Sequence, residues 1–161
     1  MKSIHSMIAV LGLAFVLTAS ADAATTDPEV IIYRFPGVRD AGGAPGTGVT
    51  TSFHCTNFSG VTETARFVLR DTSSAVVANN TYTLAHLRTV TISTRLNAAY
   101  LHDLSIPLLS PMGFFAQGTV AIAATSTSIV CTAMTIDAST TAPVGVALRG
   151  IRFNPAPGSQ E

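Results

Sequence analysis

Apolar and polar residues alternate with a period of two along most of this chain. In 64–70, Ala65, Phe67 and Leu69 fall on one side, with Thr64, Arg66 and Arg70 on the other. In 88–94, Val90 and Ile92 alternate with Thr89, Thr91 and Ser93; in 49–56, Phe53 and Cys55 alternate with Ser52, His54 and Thr56; and 118–124 carries Val120, Ile122 and Ala124 on one parity. Successive side chains of a strand point to opposite faces, so each segment predicts a strand with one face on a core. Strands are expected near 29–35, 49–56, 62–70, 75–84, 88–95, 113–124, 128–138 and 143–153. The segment Pro36 to Gly48, with five glycines and two prolines, reads as a long loop, while 57–60, 71–74 and 125–128 read as short turns. One helix is expected, Leu96 to Leu104, where Leu96, Tyr100, Leu101 and Leu104 recur at helical spacing ahead of Pro107 and Pro111.

Many short strands with one helical link predict an all-β fold: a two-sheet antiparallel β-sandwich, immunoglobulin-like, with one short helical crossover, a jelly roll or small barrel being the alternatives. The first 23 residues are set apart. Lys2, the apolar run Ile8 to Leu17 and the small residues Ala19 to Ala23 form a secretory signal, so the mature domain is expected over 24–161. A run of about ten apolar residues is half of what a bilayer core of roughly 30 Å requires, and no later segment approaches that length. No membrane span is expected, and the protein is read as secreted or periplasmic after signal removal.

Composition narrows the chemistry. Nine basic and nine acidic residues in 161 leave no net charge, and no basic cluster exists to neutralise phosphates, so nucleic acid is not an expected partner. Lys2 is the only lysine. Its loss with the signal excludes a Walker phosphate loop, a Schiff-base lysine and a Ser-x-x-Lys nucleophile. Thr and Ser supply 36 residues and carry solubility in place of charge.

Cys55 and Cys131 are the only cysteines, both on the parity of an apolar neighbour, Phe53 and Ile129. In an exported chain they are expected to form a buried disulfide stapling the two sheets. A reactive Cys55 is the alternative, but His54 beside it on a strand points to the opposite face. His54, His86 and His102 lack ligand-pair spacing, and Gly42 to Gly48 leads into a strand instead of the helix that would hold an anion. The carboxylates Asp27, Glu29, Asp40, Glu63, Asp71, Asp103, Asp137 and Glu161 form no local pair of glycosidase type. Tyr33, Tyr82, Tyr100 and one ring of Phe114-Phe115 are the available stacking surfaces for a sugar, in a chain without Trp. Asn57-Phe-Ser59 and Asn79-Asn-Thr81 match the N-glycosylation acceptor. No catalytic, cofactor or metal residues are assigned.

The segments Gly37 to Gly43, Phe53 to Gly60, Ile122 to Cys131 and Arg152 to Gly158 resemble small secreted bacterial proteins of unknown function with an immunoglobulin-like appearance. That resemblance implies bacterial origin and no particular chemistry. The expected function is that of an exported, non-enzymatic β-sandwich acting by surface contact, as an adhesive, structural or partner-binding module toward a protein or a glycan. A carbohydrate-binding module is the alternative, and a secreted hydrolase the further alternative. With little charge and no lysine to guard strand edges, self-association through those edges is also expected, against a monomer whose edges are covered by the loops.

Overall fold

In the computed structural model, residues 29–41, 44, 46–109, 115–142 and 144–153 are described. The signal reading of 1–23 and the carboxylates Asp27 and Glu161 lie outside them, as do Phe114 and the side chain of Phe115. The described chain is all-β. Ten strands follow in order: β1 Val30–Ala41, β2 Val49–Asn57, β3 Glu63–Asp71, β4 Val76–Leu84, β5 Thr89–Ser93, β6 Leu104–Ser105, β7 Phe115–Ala124, β8 Ile129–Asp137, β9 Gly145–Leu148 and β10 Ile151–Arg152.

They form one mixed sheet. The path β4-β3-β7-β1-β2-β5-β6 is joined by β8 and β9 beyond β2 and by β10 beside β1. Every pairing is antiparallel except β5 with β6. The sheet curls on itself, because Phe53 of β2 packs on Phe67 of β3 at 5.6 Å between ring centroids although β7 and β1 separate those strands in the sheet. Phe35, Phe53, Phe67, Leu69, Ile92, Ile122 and Ile129 fill the enclosed core, and all but Phe35 lie on a parity the alternation assigned.

The sheet departs from the sequence pattern in three places. First, β1 does not stop at Phe35 but runs to Ala41, still paired to β7 as far as Asp40↔Phe115. Gly37, at φ 78, takes up one of the register shifts that let the strand pass Pro36, which has no N–H to give the ladder. The loop is therefore shorter than expected. Second, there is no helix among the described residues. Across Leu96 to Leu104 the side-chain Oδ1 of Asn97 accepts the N–H groups of Ala99 and Tyr100, and Ala98 N–H donates to Ala138. Leu96 and Leu101 face solvent, so the apolar stripe that would have paid for a helix is not buried. Third, the last expected strand is split into β9 and β10 around Arg149 and Gly150.

The bend before β6 lets residues 104–109 close one side of the curl. Ile106 N–H donates to Ser93 O at the end of β5, Leu109 N–H reaches Val77 O on β4, and the Tyr82 hydroxyl donates to Ser105 O. On the opposite side β10 returns to β1. There the Phe153 N–H donates to Ile32 O.

Candidate functional site

The cysteine sulfurs stand 2.09 Å apart, at bonding distance. Cys55 and Cys131 are register partners on β2 and β8, which are neighbouring strands. The expected inter-sheet staple is thus corrected to a cross-strand link within one part of the sheet. The parity argument identified burial, which both residues show, but it cannot say which strands adjoin.

The face of β2 and β5 turned away from the core carries Ser52, His54, Thr91 and Ser93, and the bent segment 94–103 lies over it. Ser52 and Ser93 are fully buried and joined Oγ to Oγ at 2.8 Å. Asn97 Nδ2 donates to Ser93 Oγ at 3.1 Å and to Asp103 Oδ2 at 2.7 Å. Burial pushes the Asp103 carboxyl above the usual aspartate range, against the bond from Ser93 and nearby backbone N–H groups. Beside this chain of bonds the His54 ring packs edgewise on Tyr100 at 4.7 Å, its Nδ1 hydrogen-bonded with Thr91 Oγ1 at 3.0 Å. Its Nε2 is buried with no partner among the described residues, and burial lowers its pKa.

Serine, histidine and aspartate are gathered here without the links of a nucleophilic triad. Such a triad needs the histidine between hydroxyl and carboxylate. Here His54 bonds to Thr91, and Asp103 is held by Asn97. The cluster works instead as the underside of a strap. Sequence reasoning singled out His54, Tyr100 and Asp103 but missed Ser52, Ser93 and Asn97, whose only signal was Ser on the non-core parity of two strands.

A second buried node ties β1 to β2. Asp40, 1% exposed, accepts Arg95 Nε at 2.5 Å, and Arg95 Nη1 donates to Thr47 O at 2.9 Å. Thr94 Oγ1 donates to Arg39 O at 3.0 Å and accepts the Thr51 N–H. Burial raises the Asp40 pKa and the Arg95 charge opposes that rise.

The other candidates are dispersed. Asp71 and Asp137 cap their own turns, and bonds from Ser73 and Ser139 respectively hold their carboxyls below the usual range. Glu29 pairs with Arg66 and Glu63 accepts the Thr125 hydroxyl. His86 and His102 are exposed, on a turn and on the bent segment, and no group of three metal-ligating side chains occurs among the described residues. Tyr33, Tyr82 and Tyr100 each pack on another ring, on Phe35, Phe67 and His54. Asn57 is fully buried: its Nδ2 donates to Val61 O and Leu84 O, and its Oδ1 accepts the Ser59 N–H. As a glycan acceptor it is unusable in the folded chain, whereas Asn79 is exposed on β4.

That same Asn57 latch builds an apolar tip at one end of the molecule. Three turns meet there, 58–62, 85–88 and 125–128. Leu87 N–H donates to Asn57 O, Phe58 N–H to Ser128 O, and Gly60 N–H to His86 Nδ1. Phe58 is 53% exposed, Val61 62% and Leu87 64%. Leu87 also sits at φ 59, a left-handed conformation that bulky apolar residues avoid. The overlooked signal was apolar side chains in the short connections, Phe58 inside a segment read as a turn and Val61 and Leu87 in gaps between expected strands. Compared with known proteins, the chain matches no family model, no curated protein and no solved structure.

Proposed function

We propose that this chain is an exported, non-enzymatic β-domain, sandwich-like with immunoglobulin-type layering, that works by surface contact in the periplasm or outside the cell. The observation that carries the contact role is the Phe58, Val61 and Leu87 tip, where three apolar side chains stand in water on turns fixed by hydrogen bonds. Support for the layering comes from two runs of strands, β4-β3-β7-β1-β10 and β9-β8-β2-β5-β6, facing each other across one core. Export agrees with the paired cysteines, since disulfides persist in oxidising compartments. Under the strap Ser52 and Ser93 bond to each other, Asn97 holds Ser93 and Asp103, and His54 bonds to Thr91 and not to a carboxylate, which favours contact over turnover. The test is a hydrolase substrate panel with a glycan array on the signal-free protein. No turnover and no saturable sugar binding are expected; turnover abolished by Asp103→Asn or His54→Gln, or reproducible sugar binding, would overturn the contact role.

A further inference from the structure

We infer that the Phe58, Val61 and Leu87 tip docks on an anionic lipid bilayer, an inference that rests on the contact role and names its partner. Three observations point there. The first is conformational. Leu87 occupies a left-handed position that Asn or Gly fills without strain, and at 64% exposure the fold gains little from a leucine there. A strained, exposed apolar residue answers to something outside the chain.

The second is shape. Specific protein interfaces bury a broad complementary face, on the order of 800 Å² per partner. Phe58, Val61 and Leu87 offer isolated apolar points on the turns 58–62 and 85–88. A fluid headgroup and acyl boundary accepts such points without a matching surface, and Phe and Leu are residues that enter it.

The third is charge. Arg88 is exposed next to Leu87, and Arg152 places its guanidinium on Thr127 O, one residue from the Ser128 carbonyl that binds Phe58. Of the described carboxylates at this end, Glu29 is paired with Arg66, and Glu63, which accepts the Thr125 hydroxyl, sets one negative charge against Arg88 and Arg152. Two exposed arginines against one carboxylate leave a net positive charge beside the apolar points, which matches an anionic headgroup layer.

Flotation of the signal-free, oxidised protein with vesicles of phosphatidylcholine, with and without phosphatidylglycerol, tests this. The protein should float with the phosphatidylglycerol vesicles and detach as salt rises. The Phe58→Ser, Leu87→Asn double variant should lose about tenfold in partition, and Arg88→Gln about fivefold. Asn suits the left-handed site, so Leu87→Asn alone should keep or raise thermal stability, and lost binding will then not be lost folding. No flotation with either vesicle, equal flotation with both, or full binding by the double variant overturns the inference. Those outcomes leave the contact role standing, because that role falls only to the substrate panel and the glycan array.

Discussion

Arg95 and His54 are half-buried side chains on which the fold depends, the first through its buried partner Asp40 and the second through its buried Nε2. Removing one partner of a buried ion pair leaves the other charge uncompensated, which typically costs about 3–5 kcal/mol. Arg95→Leu is therefore expected to lower stability by that order, measured by urea unfolding near neutral pH. The deficit should shrink in acid, because Asp40 then takes up a proton instead of staying buried as an anion. His54 acts with the opposite sign. Its folded pKa lies below the ordinary 6.5, so the unfolded chain binds more protons, and its contribution to stability is lost as pH falls through that value. Asp40 and Asp103, both raised, pull the other way in acid. The comparison of wild type with His54→Gln isolates the histidine: the wild type should lose more stability between pH 7 and pH 5 than the variant. Parallel pH profiles would remove His54 from the account. The alternation located His54 on a non-core parity, yet it could not show that a strap covers that parity.

At the scale of the element, the disulfide joins two neighbouring strands whose sequence separation is 76. In the loop-entropy model that closure restricts the unfolded chain by about 4–5 kcal/mol. Cys55→Ser or Cys131→Ser should cost about 2–5 kcal/mol in denaturant unfolding, and the oxidised wild type should show no titratable thiol. The strands themselves were legible where alternation was strong: β2, β3, β4, β5, β7 and β8 begin and end within two residues of the sequence expectation. Where local signals compete, tertiary contacts prevailed. Pro36 and Gly37 read as the start of a loop, but β7 supplies a partner along the whole of β1. Leu96, Tyr100, Leu101 and Leu104 read as a helix, but Asn97 captures the N–H groups that would begin it and β5 captures the segment's end as β6.

For the whole molecule, the covered and uncovered edges set how copies meet. Residues 104–109 cover the side between β5 and β4, whereas β9 pairs only with β8 among the described residues and exposes Val144 and Val146. An uncharged edge of this kind can pair with its own copy about a two-fold axis. Light scattering of the chain over residues 24–161 should show mass rising with concentration, and Val146→Lys should return it to the monomer; a monomeric mass at every concentration would remove self-association. The sequence by itself determined β2, β3, β4, β5, β7 and β8 and the inward parity of Phe53, Cys55, Phe67 and Cys131, because alternation and residue type are local properties. Only the tertiary structure decided that the cysteines link adjacent strands, that Ser52, Ser93, Asn97 and Asp103 share one covered cluster, and that Phe58, Val61 and Leu87 meet at one tip. Those are relations between segments far apart in the chain, fixed by which strand pairs with which, and no local pattern encodes them.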